Sequence, residues 1–351
     1  MFELDNLHKS SEHVQEIENV SQVEIQTPQV YFNREKALRD FDRETEVSQA
    51  RNFGGSLDEK AATLLANARV LFKHKEYPLA LNLLRNASNH DSKNVSILSL
   101  LAECLEKTLR LEEALKVRNV IVRIDCHFDQ VQKLATLHYK LGQDELASGK
   151  YFEALSMLTE ENEAIFEIYK NLGNILVRQG DFEGAEEYYN KAYTINPQSD
   201  TLLVNFGTLE VQRQDYDKSL YCFRQAVEVN KKNDKAWVGL AMVHSQMGDQ
   251  ELAWANLETA LDINPSNRTA VHLISNWGLR DNRCAQSIAV LQAYLGDVEF
   301  DEGLSLVLIN LYCGNSQITE AQLECERVLL WNPKNIEVAE LKSKLKKIKK
   351  A

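Results

Sequence analysis

Six cysteines and eight histidines are the side chains of this chain best suited to bond-making chemistry. The cysteines (Cys104, Cys126, Cys222, Cys284, Cys313 and Cys325) form no CxxC pair and no metal-ligand spacing, which suits singly placed, reduced thiols. Of the histidines, His138 and His244 fall on helical stretches, where packing is the expected role. Cys126, His127 and Asp129 lie close together, but in a stretch that reads as a loop between helical pairs. The loops that hold phosphates or nucleophiles are not found: the sequence has no GxxxxGK[ST], GxSxG, GxGxxG or HExxH. Gly149-Lys150-Tyr151 lacks the earlier glycine and the hydroxyl that a phosphate loop needs. The expectation is a non-enzymatic protein with no metal and no cofactor. The chemistry left is recognition, by lysine and arginine cations and by asparagine amides, which donate to and accept from a peptide backbone.

The totals narrow what is recognised. A net charge of −12 argues against general nucleic-acid or anionic-membrane binding. No stretch approaches the roughly 18 apolar residues that would cross a bilayer, so no membrane insertion is expected. The N-terminal MFELDNLHKSSEHVQ lacks the apolar core of a signal peptide, and a cytoplasmic location is expected.

Cations and amides need elements to hold them, and those elements repeat. Phe166 to Ser199 reads as two short helices: Tyr169, Leu172 and Leu176 make one apolar stripe, Gly180-Asp181 breaks it, and Ala185, Tyr189 and Ala192 make the next. Pro197 stops the second helix. A shift of 34 residues lays 200–233 on top, and another shift lays 234–267; Pro197, Pro265 and Pro333 keep the punctuation. One such helix pair cannot bury its own apolar surface, so it stacks on copies of itself.

Small residues of the second helices set the phase: Ala80, Ala114, Ala154, Ala185, Ser219, Ala253, Ser287 and Ala321. They place units near 61–94, 95–128, 135–165, 166–199, 200–233, 234–267, 268–301 and 302–335. The first two keep the stripe but lose the turn glycine and the closing proline. The third reads as irregular, with extra residues before it at DCHFDQVQ and an early end at TEENEA. The seventh has Asn276-Trp277-Gly278 where its first helix should continue, and is read as the most degraded. Residues 336–351 form one helix with Val338, Leu341, Leu345 and Ile348 on one face and lysines elsewhere, suited to capping an array or to a basic patch. Residues 1–56 carry 11 acidic and 6 basic side chains and read as a largely disordered acidic tail joined through Gly54-Gly55-Ser56. Within it, Phe32 to Gln49 is a helix former that could dock on a partner or fold back on the array.

The period, the small residues and the proline punctuation resemble the tetratricopeptide repeat (TPR) family. The resemblance implies an all-α fold: a right-handed α-solenoid of about eight helix-turn-helix repeats with a C-terminal capping helix. It also implies that the first helix of each pair lines a concave face. Carried onto this sequence, the candidate peptide-binding residues are Lys170, Asn174, Val177 and Arg178 from the fourth unit. The fifth supplies Val204, Asn205, Thr208 and Val211, the sixth Lys235, Val238 and Met242, and the seventh Asn276 and Arg280.

Cations set among small apolar residues and amides suit an extended or helical peptide of acidic character. The expected function is therefore a scaffold or adaptor whose partner is another protein. TPR co-chaperones supply one alternative, because they clamp acidic C-terminal tails through two carboxylates. Lys170, Asn174, Asn205 and Lys235 match that clamp, while Gly239 stands where its arginine would be. A regulatory subunit of a bacterial polarity, motility or secretion assembly is a second alternative.

Overall fold

The computed structural model describes residues 57–158, 163–298 and 300–348. The expected acidic tail (1–56), the acidic run at 160–162 and the last lysines (349 and 350) lie outside them. The described residues hold seventeen α-helices and one 3-10 turn (Glu163–Ile165), and among them there is no strand. Two compact units divide between Asn196 and Pro197.

The N-terminal unit contains four helix pairs. These are α1 (Leu57–Lys73) with α2 (Tyr77–His90), and α3 (Val95–Lys107) with α4 (Leu111–Ile124). Then come α5 (Phe128–Lys140) with α6 (Asp144–Ser156), and α7 (Phe166–Gln179) with α8 (Phe182–Ile195). The C-terminal unit contains α9 (Asp200–Gln212) with α10 (Tyr216–Val229), and α11 (Asp234–Gln246) with α12 (Gln250–Ile263). It continues with α13 (Arg268–Arg280) and α14 (Cys284–Asp297), then α15 (Glu302–Gly314) and α16 (Ile318–Trp331). It ends on the single helix α17 (Ile336–Ile348). The fold is an all-α solenoid of eight TPR-like hairpins with a capping helix.

Side-chain caps open eight of the described helices. Asn94, Ser199, Asn233, Asn267 and Asp301 accept a backbone N–H at the third residue beyond, opening α3, α9, α11, α13 and α15. Asp181, Asp215 and Asp249 do the same for α8, α10 and α12. Each hairpin turn passes through one residue in the left-handed region. Glycine fills it at Gly142, Gly180 and Gly248, where the missing Cβ removes the penalty. The other five turns keep the same conformation with Lys75, Leu109, Gln214, Asn282 and Ser316. The turn of the first two units therefore survives the loss of its glycine.

A clasp recurs in the C-terminal unit. The first residue of a hairpin is acidic and takes hydrogen bonds from two asparagines in the turn after that hairpin. Asp200 binds Asn230 and Asn233 at 2.5 and 3.0 Å, and Asp234 binds Asn264 and Asn267 at 2.7 and 2.8 Å. Glu302 binds Asn332 and Asn335 at 3.0 and 2.8 Å. In the hairpin that begins with Arg268 the polarity is reversed, and Asp301 pairs with the arginine at 3.7 Å.

Two expectations need correction. The small residue of the third hairpin is Ala147, the fourth residue of α6, as Ala80, Ala114 and Ala185 are of their helices. Ala154 lies two turns further along and matches Ala192 instead. The extra residues therefore fall after α6, in 157–165, and not before α5, which follows α4 after only three residues. The seventh hairpin is not broken: α13 runs straight through Asn276-Trp277-Gly278, and Trp277 is buried.

Candidate functional site

The first helices of successive hairpins lie against one another in each unit: α5 beside α7 in the N-terminal unit, and α9 beside α11 and α13 beside α15 in the C-terminal unit. Side chains on this ladder are the candidate binding residues, and the two units dispose of theirs differently.

In the N-terminal unit the polar candidates are consumed internally. Lys170 pairs with Glu167 one turn back at 2.7 Å and lies over the Phe166 ring. The Asn174 amide donates to the Tyr139 hydroxyl at 3.0 Å and accepts from the Tyr189 hydroxyl at 2.7 Å. Arg178 grips the Asp144 carboxylate with Nε at 3.0 Å and with Nη2, and its guanidinium sits 4.6 Å from the Tyr139 ring centre. Burial works against the Arg178 charge, but Asp144 and Tyr139 outweigh it and hold its pKa above the usual arginine value. Burial also drives the Tyr189 hydroxyl pKa upward, so it stays a donor. Asn174 and Arg178 thus act as cross-helix fastenings, with much of their bonding capacity spent at home. Val177 is buried, so it contributes to the core and not to an outer lining.

The C-terminal unit leaves more open. Lys235, on the first turn of α11, is half-buried and has no ion-pair partner among the described residues. Asn276 is exposed one face along on α13. Arg280 is exposed but engaged, donating to both Asp281 oxygens and to Gln250 while lying over the Trp277 ring. Asn205 is half-buried. Thr208 turns its hydroxyl onto its own helix, at 3.0 Å from the Val204 carbonyl. Val204 and Val211 lean on the cluster of Leu220, Phe223, Leu240 and Val243. Val238 is core and Met242 is half-buried against that core, so of the apolar candidates here Val238 is not available to a ligand.

Gly239 explains the missing clamp arginine. The Phe223 ring slots between Gly207 and Gly239, and a Cβ on Gly239 would fall 2.4 Å from its edge. The backbone there is used for close approach of α11 to α10, and no longer side chain fits without moving Phe223.

One functional-looking residue escaped the sequence reading. Arg118 stands four residues after Ala114, the place filled by Leu84, Tyr151, Tyr189, Phe223, Leu257 and Leu291 in other hairpins. It is only 2% exposed. Its Nε and Nη2 reach Glu106 Oε1 at 3.2 and 3.0 Å, and Lys140 reaches the other Glu106 oxygen at 3.3 Å. Once α6 is aligned on Ala147, the register alone exposes this cation as the odd member of a column of apolar residues. Among the described residues no group of three or more His, Cys, Asp or Glu is placed to hold a metal ion. No described helix is long and apolar enough to cross a membrane.

Helix pairs of this length, with these turns and this small-residue phase, define a TPR protein. Residues 166–199 and 234–267 each match a sequence model of the tetratricopeptide repeat, so the chain contains repeats of that family. Among solved structures, it is similar to PilW, described as a widely conserved type IV pilus biogenesis factor. That likeness has a TM-score of 0.53 and 14% identity, over 61% of this chain and 97% of that one. It is also similar to the APC/C hetero-tetramer Cut9-Hcn1, with a TM-score of 0.52 and 13% identity, over 88% of this chain and 59% of that one. At such identities the likeness is one of fold. A curated relative, the photosystem I assembly protein Ycf3 of Rippkaea orientalis, is 33% identical over 84 residues. The match takes in 22% of this chain and 48% of that protein, so the chain spans about half the length of the curated relative.

Proposed function

We propose that the protein is a non-enzymatic scaffold that holds a partner protein through a segment of acidic character, bound along the first helices of the C-terminal unit. The observation that carries this is Lys235. It is the cation on that ladder whose charge no described side chain neutralises, whereas Lys170 and Arg178 already have carboxylates of their own. Asn276 supplies an exposed amide, and Met242 supplies a soft apolar contact that adapts to the partner's shape. The Ycf3 relative is named for assembling a complex, which supports a role in assembly over one in catalysis.

The test is a fluorescence titration with acidic peptides and charge-reversed controls. Lys235→Glu should weaken acidic-peptide binding about tenfold, which is about 1.4 kcal/mol. Lys170→Glu should change it little, because Glu167 already balances that lysine. Equal loss in both variants would return the N-terminal unit to the site, and no loss in either would sink the proposal. The co-chaperone reading has a separate test in the same assay. It requires a free acidic C-terminus, so equal affinity for amidated peptides removes it.

A further inference from the structure

The last hairpin exposes apolar side chains at places where α10 and α12 each carry an acidic residue among them. Leu330 is 82% exposed, Trp331 67%, Ile336 72% and Leu323 61%. Leu323, Leu330 and Trp331 fall seven and eight residues apart, on one face of α16. The corresponding places are Tyr221, Glu228 and Val229 on α10, and Ala255, Asp262 and Ile263 on α12. Ile336 opens α17 at the place that Asp200, Asp234 and Glu302 hold in their hairpins, and it is exposed. Trp331 is held in position by stacking on Phe300, with ring centres 5.2 Å apart and planes 3° from parallel. Exposed apolar side chains gathered on one helix face mark an interaction site.

The charge beside this patch says what fits it. Along α17 the exposed lysines are Lys344, Lys346 and Lys347, while Lys342 is used by Glu326 at 3.0 Å. Helix α17 thus begins with Ile336 beside the exposed carboxylates Glu337 and Glu340 and turns positive over its last two turns. Residues 1–27 of this chain have the complementary composition: six carboxylates (Glu3, Asp5, Glu12, Glu16, Glu18 and Glu24) against Lys9, with Phe2, Leu4, Leu7, Val14, Ile17 and Val20 among them. We propose that residues 1–27 of the same chain dock on the face formed by Leu323, Leu330, Trp331, Ile336 and the α17 lysines. The apolar side chains cover the α16 patch, and the carboxylates meet the lysines. This contact is separate from partner binding at Lys235 and does not rest on it.

The experiment uses the full chain with a photo-crosslinking phenylalanine analogue in place of Ile17. Illumination and peptide mapping should give crosslinks within residues 323–347, in a product of monomer mass. Leu330→Asp with Trp331→Asp should reduce their yield at least tenfold. Both residues are exposed, so circular dichroism should show the helices unchanged. Lys344→Glu, Lys346→Glu and Lys347→Glu together should reduce the yield several-fold, and more at low salt than at high salt. Crosslinks elsewhere in the chain, a dimer-mass product or no product at all would each overturn the proposal.

Discussion

Arg118 carries a full charge into a column otherwise made of leucine and aromatic side chains, and Glu106 is what makes that tolerable. A buried ion pair contributes little net stability, but breaking it from one side leaves an uncompensated charge. Glu106→Gln should therefore lower the stability of the N-terminal unit by about 2–3 kcal/mol, read as an earlier urea midpoint. Arg118→Leu, the residue of the first hairpin, should lie within about 1 kcal/mol of the parent or exceed it, since Lys140 still serves Glu106. The turns give the opposite kind of case. Leu109 holds a left-handed backbone with φ 58°, and it is exposed, so its side chain gives nothing back. Leu109→Gly should raise the thermal midpoint, with a gain of about 0.5–1 kcal/mol. His244 gives a pH dependence. Burial lowers its pKa, Asp249 opposes that shift, and Arg224 adds to it. Below about 6.5 the unfolded chain takes up a proton that the folded imidazole resists, so this contribution is present above that pH and is lost as pH falls through the folded value. His244→Gln should flatten the fall in thermal midpoint between about pH 7 and 5.

At the scale of helices, the close approach of α10 and α11 depends on a ring meeting two bare backbones. Gly239→Ala would push a methyl group into Phe223, which is itself buried, and should cost about 1–3 kcal/mol by overpacking. An arginine there would not complete a carboxylate clamp, because it would first displace that ring. This contact also shows which features of the chain could be read without coordinates. The 34-residue phase gave away the hairpins, because stripe, turn and small residue recur together at each step. Asn276-Trp277-Gly278 misled because a glycine late in a helix reads as a stop, while in α13 tertiary packing of Trp277 overrides that propensity. Ala154 misled because α6 carries two buried alanines seven residues apart, and period alone does not choose between them. The ladder residues lie on first helices, and while Lys170 pairs with nearby Glu167, the engagement of Asn174 and Arg178 depends on residues about 34 positions away. Asp144 neutralises Arg178, and Tyr139 occupies Asn174, through contacts between successive hairpins that no local pattern reports.

At the scale of the molecule, a solenoid is stabilised by what each hairpin makes with the next, so damage at an end should stay near that end. Helix α17 shows how the C-terminal end is closed. Val338 and Leu345 insert into the same cluster as Leu304, Leu308, Ala321, Cys325 and Val328, while Lys342 reaches Glu326 across the surface. Without α17, that apolar face of α16 would meet water. Leu345→Asp puts a carboxylate into this cluster with no described cation inside it, and should cost about 3 kcal/mol or more. Amide hydrogen exchange is the measurement that locates the loss. Exchange should accelerate strongly in α15, α16 and α17, less in α13 and α14, and not detectably in α1 to α6, which belong to a unit with its own core. A uniform acceleration from α1 to α17 would mean that the two units unfold as one, and that nearest-neighbour stacking is not what sets the stability of this chain.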